Sequence, residues 1–451
     1  MADNPVALLE QLSRGARSAL DMAAAAGVSR PTVARQLQSL VRQRVVLVIG
    51  AARSARYARR RLLPELGADH WPIYRVDAQG LPQPWGALYL LMADQYFVEL
   101  HPDAAVTRAL QGLSDGVPYF LQDQRPAGFM GRNVPQRYPE LNLPQRVVDW
   151  TDVHYLRYLT QQGWDAVSDL IVGDAALNHF LAREVHAVSA QARLMHYAEQ
   201  ADIVTAGGLP GSSAHGEHPK FVCAVKQNDV IQQRLVKFSP PRHTDVGQRW
   251  SDLLVAEHHA HVLLREAGFA ACDSQVHVQG ERTYLEMPRF DRVGARGRRG
   301  VTSLFAIDTA LYGQLDDWIA AAQRLHRVRK LSADDLRRVQ FLSAFGELIA
   351  NTDRHFGNLA LFDDYSGMFT LAPSYDMLPM LFAPQHDQVF AREFVPPPPS
   401  AATLPVWRDA HVLAQRYWRE LSVDPRLSAG FQKIGADCLA ALDRQLAKLH
   451  L

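Results

Sequence analysis

The sequence predicts an α+β chain of several units: a helix-turn-helix head with a β-hairpin, a small β-rich subdomain, and a two-lobed body whose second lobe is mostly helical. Three observations carry this. At 451 residues the chain is too long for one core. Hydrophobic residues at 47% and charged residues at 21% describe a packed globular protein. The apolar spacing also changes along the chain, from short helical patterns to strand-turn-strand runs, and then to long helical segments after residue 330. The expected boundaries are 1–63, 64–150, 151–285 and 286–451.

Charge separates the head from the rest. Residues 1–61 hold eleven arginines against three acids (Asp3, Glu10, Asp21), whereas the remainder holds 37 basic and 44 acidic residues. A basic head on a mildly acidic body points to a polyanion partner for the head alone. Cys223, Cys272 and Cys438 stand far apart with no Cys-x-x-Cys pair, which argues against a disulfide framework or zinc ribbon and suits a reducing compartment. The Met-Ala-Asp-Asn-Pro start lacks a signal peptide's basic and apolar regions. No apolar run approaches the ~18 residues needed to span a bilayer. A soluble cytoplasmic protein without a membrane partner is expected.

In the head, Val6, Leu8, Leu9 and Leu12 fit one short helix, and Leu20 to Ala26 a second that ends at Gly27. Ser29 can cap a third helix, whose apolar positions Val33, Leu37 and Leu40 recur at i, i+4 and i+7. Residues 26–35 therefore read as the turn and recognition helix of a helix-turn-helix, with Arg30, Thr32 and Arg35 near the groove-facing end. Val45 to Gly50 reads as a strand, Ala51 to Arg56 as a turn, and Tyr57 to Leu63 as the returning strand. The whole resembles a winged helix, with Arg53 and Arg56 at the wing tip and duplex DNA as the expected partner. The competing reading is a protein-docking module with solvated arginines.

From Leu63-Pro64 onward, Tyr74 to Val76, Trp85 to Leu91 and Gln95 to Leu100 read as strands separated by turns. Residues 116–131 show no catalytic logic. Residues 152–200 have helical spacing, and a scaffold or docking role is preferred for the whole middle. His154, His179 and His186 are scattered and read as structural.

The chemistry lies between residues 202 and 380. A loop with glycines at 207, 208, 211 and 216 precedes the strand Phe221 to Lys226. Without Cβ atoms, such a loop lets backbone N–H groups approach phosphate oxygens. Lys237 sits inside the apolar strand Leu235 to Phe238. A buried lysine is costly unless its charge is matched, and Glu257, in the helical segment Trp250 to Ala267, supplies a carboxylate. Arg282 to Pro288 gives a strand ending at a plausible hinge, where backbone groups of Glu286 and Met287 would face an adenine. Asp353 and Asn358 then stand five apart, the spacing of the catalytic-loop aspartate and asparagine in protein kinases. Asp376 follows eighteen residues later, after the strand pair Leu359 to Phe362 and Met368 to Leu371. A carboxylate can take the proton of an attacking hydroxyl, and an amide oxygen with a second carboxylate can hold magnesium.

Arg289-Phe-Asp-Arg292, Asn351 to Asn358, and Pro373-Ser-Tyr-Asp376 resemble the signature stretches of HipA-like kinases, and Ser213 to Lys220 is similar to their Ser-x-x-Gly-x-Gln-Pro-Lys loop. The resemblance covers residues 70–445. With the fused head it points to the YjjJ-like branch, sometimes described as HipA-type toxins. It implies a serine/threonine protein kinase of two-lobed fold, using ATP and Mg2+ and regulated by autophosphorylation. Carried over, Gly216, Lys220, Lys237, Glu257, Glu286 and Met287 bind ATP, and Asp353 is the catalytic base. Asn358 and Asp376 hold the metal, and Ser213 or its neighbour Ser212 is the modified serine. It further implies a protein substrate, by family a translation component, and a HipB-like antitoxin, although a built-in head makes that partner less necessary. His218 stands where the family has glutamine, and the loop carries an extra glycine-rich lead.

His258, His259 and His261 share one helix, and His215 and His218 flank Glu217, but no His-Glu-x-x-His spacing exists. Solvated histidines are expected rather than zinc. Pro396 to Pro399 marks a loop before two closing helices, at 407–421 and 428–449. Two other functions stay open at this stage: a transcription regulator with a kinase-like sensor body, and a nuclease-type toxin brought to DNA by the head.

Overall fold

The computed structural model describes residues 5–51, 54–206, 218–385 and 387–449. Arg53, Ser212, Ser213, His215, Gly216 and Glu217 lie outside them. The head runs α1 (Pro5–Leu12), β1 (Arg17–Ser18), α2 (Ala19–Ala26), α3 (Arg30–Arg42), β2 (Val46–Ile49) and β3 (Arg56–Arg59), with its strands ordered β1-β3-β2. Ser29 caps α3 by accepting from the Thr32 N–H, and Gly27 closes α2 in the left-handed region at φ 63°. Val33, Leu37 and Leu40 are buried against Leu8, Leu12 and Met22. Arg56 is the first residue of β3, opposite Ile49 and Ser18, rather than part of the turn. Cross-strand pairing extends that strand one residue further toward the tip than side-chain type suggested.

The middle consists of β4 (His70–Val76), β5 (Pro82–Leu90), β6 (Gln95–Leu100), β7 (Gly112–Asp115), three single-turn helices α4 (Tyr119–Gln122), α5 (Gly128–Gly131) and α6 (Val134–Arg137), then α7 (Asp152–Gln162), β8 (Leu170–Val172) and α8 (Asp174–Ala182). Its sheet is ordered β7-β6-β5-β4-β8. Because β8 pairs with β4, this unit continues past the boundary expected at residue 150. The long return through α4 to α7 hides that pairing from any local pattern.

The first lobe of the body holds β9 (Ala187–Ser189), α9 (Arg193–Ala206), β10 (Lys220–Gln227), β11 (Val230–Phe238), α10 (Asp245–Glu266), β12 (Gln275–Gln279) and β13 (Arg282–Pro288), in the sheet order β12-β13-β11-β10-β9. A ribbon of β14 (Arg292–Val293) and β15 (Gly297–Arg298) leads to the second lobe. That lobe contains β16 (Val301–Ser303), α11 (Leu304–Leu311), α12 (Trp318–Arg327), α13 (Ala333–Leu348), β17 (Ala360–Asp363), β18 (Phe369–Leu371), α14 (Leu404–Leu421) and α15 (Ala429–Leu449). Its core, with Phe345, Trp407, Tyr417 and Trp418, is shared with α10 of the first lobe through Leu253, Leu263 and Leu264.

The units are welded rather than strung. Ile49 and Ala58 of the head share a small core with Leu91 and Phe97 of the middle. Arg60 and Arg61, counted as polyanion-seeking charge, pair instead with Asp69 and Asp94. Tyr365, at the tip of the β17–β18 hairpin, inserts edge-on against Trp85 of the middle and donates to Asp169 Oδ1 at 2.6 Å. Asp123 of the middle accepts from the Ser303 hydroxyl that caps α11, at 2.6 Å. A Cβ on Gly297 would lie 2.0 Å from the Ala78 carbonyl oxygen, so the ribbon and the middle touch backbone to backbone.

Candidate active site

A strand lysine, a helix glutamate and the two loops after α13 converge between the lobes. Lys237 is 3% exposed. Its Nζ donates to Glu257 Oε1 at 2.7 Å and Oε2 at 2.8 Å, and also to Asp376 Oδ1. The snorkelling alternative for a strand-edge lysine is therefore excluded. Burial works against the ammonium, but Asp376 and Glu257 overcome it and hold Lys237 above its ordinary value. Burial likewise pushes against the Asp376 carboxylate, yet Lys237 and Lys220 keep it below the usual range. Burial raises Glu257, a shift its own bond to Lys237 opposes.

Lys220 lies directly opposite Lys237 in the β10–β11 ladder, so the two ammonium groups share one face of the sheet. Like charges so placed repel unless an anion sits between them. Asp376 fills part of that role, and a phosphate chain would complete it. Beyond β12, which begins opposite Glu286, Met287 and Pro288 pair only with β11. Their other edge opens toward the cleft, where Met287 joins Val222, Leu235, Cys272, Ala360 and Tyr375 around a cavity of about 560 Å³. Glu286, by contrast, turns its side chain to the far face of the sheet. There it accepts from Tyr197 at 2.6 Å and Arg193 at 3.2 Å, and its backbone is paired on both sides. Of the two expected hinge residues, Met287 faces the cleft.

The loop 351–358 is locked by its own side chains. Asn358 Nδ2 donates to the Asp353 carbonyl at 2.8 Å, which leaves its amide oxygen for another partner. Asp353 stands at the exposed rim, where partial desolvation raises its carboxyl above the ordinary value and His355 pulls it back. Asn358 and Asp376 each retain an oxygen not engaged by the other's partners, a hard-oxygen pair of the kind magnesium accepts alongside phosphate and water. The residues present thus fit both an anionic nucleotide and its metal. Among the described residues no group of three His, Cys, Asp or Glu side chains could hold a metal alone.

Three readings change. The cleft's second wall comes from the middle, through Met130, Arg137, Tyr158 and Trp164, so that unit does more than dock. The α10 histidines are not solvated. His261 is fully buried with Nδ1 3.0 Å from Ser274 Oγ, His258 shares that hydroxyl, and His259 lies 2.6 Å from Asp424. Burial drives His261 down to about 3, so it is neutral. His218 packs edge-on against Trp250 and is also held neutral, first by burial and then by Lys237 and Lys220. In the head, Arg30 and Arg35 are exposed on α3, whereas the Thr32 hydroxyl is 2.9 Å from Ser29 Oγ in the helix cap. Sequence reasoning overlooked Asn351, whose buried amide spans the Asp353 and Asp376 backbones. Its signal was its place two residues before Asp353.

A five-stranded lobe carrying a lysine–glutamate pair, a helical lobe carrying an Asp/Asn loop, and an aspartate between them define a HipA-like, kinase-like class. Comparison with known proteins agrees. Residues 67–181 match the model of the YjjJ-like toxin middle domain, and residues 212–419 that of the HipA-like C-terminal domain. The chain is 32% identical to Toxin YjjJ of Escherichia coli (strain K12) over 438 residues, 95% of this chain and 96% of that protein. HipA of Shewanella oneidensis MR-1, solved with HipB and its operator DNA, superposes with a TM-score of 0.55 at 15% identity, covering 83% of this chain and 97% of that one. The Helicobacter pylori proinflammatory kinase CtkA gives 0.34 at 12% identity over 51% of this chain and 92% of that one. The chain belongs to the HipA-like toxin family, in its YjjJ-like branch. No helix among the described residues is long and apolar enough to cross a membrane.

Proposed function

We propose that the protein is an ATP- and magnesium-dependent serine/threonine protein kinase that phosphorylates itself and carries a DNA-binding winged helix at its N-terminus. One observation carries the reading: a single buried ammonium, Lys237 Nζ, shared between Glu257 and Asp376 on opposite sides of the cleft. A buried lysine held by a helix glutamate, with a second carboxylate that a phosphate can replace, matches the lysine–glutamate pair of protein kinases. In this reading Lys237 and Lys220 bind the phosphates, and the apolar wall around Met287 takes the adenine. Asp353 accepts the proton of the acceptor hydroxyl, and Lys237 exchanges Asp376 for phosphate while keeping Glu257. Magnesium, held by Asn358 and Asp376, supplies charge neutralisation at the phosphates when bound. Orientation and fixed charge do most of the work.

By family resemblance, Ser213 or Ser212 is the self-modified serine, a translation component is the substrate, and a HipB-like protein is a further partner. A phosphoserine would add about −1.5 to −2 charge beside a phosphate site and repel the nucleotide. Incubation of the full chain with ATP and magnesium, followed by peptide mass mapping, tests this. A modified peptide within residues 207–220 is expected. Unmodified peptides throughout would defeat the autophosphorylation claim.

A further inference from the structure

Resting on the kinase reading above, we infer that Asn351 is a positioning residue that couples the catalytic-base loop to the metal-binding aspartate. Its side chain is 1% exposed and joins the backbone of Asp353 to that of Asp376, which lies 25 residues beyond Asn351 in sequence. Oδ1 accepts from the Asp353 N–H at 3.0 Å, and Nδ2 donates to the Asp376 carbonyl at 3.1 Å. Only this orientation of the amide pairs both groups. The flipped one would set oxygen against oxygen and N–H against N–H.

Both segments need such a clasp. Asp376 sits in the left-handed region at φ 53°, and Ala350, immediately before Asn351, sits there at φ 58°. Neither residue is a glycine, so each conformation is disfavoured unless its surroundings fix it. The peptide groups of Asp376 are fixed at both ends by side chains: its N–H donates to Glu257 Oε1 at 3.2 Å, and its carbonyl accepts from Asn351. Glu257 ties the Asp376 turn to Lys237 and to the first lobe, while Asn351 ties it to Asp353 and the second. Removing the Asn351 donor frees the carbonyl that holds Asp376 in its strained turn. The Asp376 carboxylate then loses its direction relative to Asn358, while the phosphate-binding lysines stay where they are. The consequence is selective: metal-dependent binding suffers and metal-independent binding does not.

The test uses the purified full chain, a non-hydrolysable ATP analogue and calorimetric titration, with and without magnesium. Asn351→Asp keeps the shape and the acceptor for Asp353 but loses the donor to Asp376. Asn351→Ser is the second variant, in case the added charge disturbs folding. The expected result is unchanged analogue affinity without magnesium, and a loss of about 10–100-fold in the affinity gained on adding it, the usual range for partners that orient metal ligands. An undiminished magnesium gain in both variants overturns the inference. So does an equal loss with and without magnesium, which marks a merely structural role. If the wild-type chain shows no magnesium gain, the kinase reading beneath the inference falls with it.

Discussion

At the scale of single residues, the triad of buried Lys237 and Glu257 with half-buried Asp376 is the part of the account most open to test. Deleting one partner of a buried ion pair strands the other, which typically costs about 3–5 kcal/mol. Lys237→Met keeps the stem packed but leaves Glu257, fully buried, and Asp376 facing each other unneutralised. It should lower the free energy of unfolding by that amount in denaturant titration and abolish nucleotide binding. A variant as stable as wild type would mean that the two carboxylates are not held together by this ammonium. The residues that converge in the cleft were legible in the sequence because their types are costly where they stand: a lysine amid Leu235, Val236 and Phe238, and acids at kinase spacing. Asn351 was not. A buried amide that serves two backbones has no side-chain periodicity, and its role appears only when residues 351–353 and 376 meet.

At the scale of elements, Glu286 shows how a strand residue can look like a ligand and prove to be an anchor. It fastens α9 to the outer face of the sheet through Tyr197 and Arg193. Burial opposes its ionisation, but His277, Tyr197 and Arg193 prevail and bring its carboxyl down to about 2. A folded value below the unfolded one, roughly 4.3 for glutamate, means that unfolding takes up protons. The stabilisation is therefore complete above about pH 4 to 5 and lost as pH falls toward 2. Glu286→Gln should be less stable than wild type at pH 7, and the gap should close on acidification. A gap constant between pH 7 and pH 3 would show that the carboxylate charge contributes nothing.

Local patterns foresaw the helices of the head, β13 from Arg282 to Pro288 and the closing helices α14 and α15, because apolar spacing and caps are short-range signals. They missed β8, which finds its partner almost a hundred residues earlier, and α11, whose cap Ser303 is completed by Asp123 from another unit.

At the scale of the whole molecule, the head, middle and body form one welded object, which reshapes the charge argument for DNA. Arg60 and Arg61 are paired with Asp69 and Asp94, and Arg59 is tied to the Ser13 hydroxyl with its charge intact, so the outward charge rests on fewer arginines, Arg30 and Arg35 on α3 among them. The full chain should still bind duplex DNA, with each neutralised phosphate adding about −0.9 to the slope of log affinity against log salt. Arg30→Ala or Arg35→Ala should cost about 1–3 kcal/mol on a cognate site and leave phosphoryl transfer unchanged. Gel-shift titration at two salt concentrations checks this, and absence of binding at low salt would make the head a protein-docking module.

The central claim, that this cleft transfers phosphate, stands on Asp353 acting on the acceptor and not on the nucleotide. The most direct measurement compares wild type with Asp353→Ala, following label incorporated from γ-labelled ATP with magnesium while nucleotide binding is read in the same samples. The account predicts label on the wild-type chain, none on the variant, and similar ATP binding in both; a variant that incorporates label at the wild-type rate, or a wild type that binds ATP and transfers nothing, would contradict it.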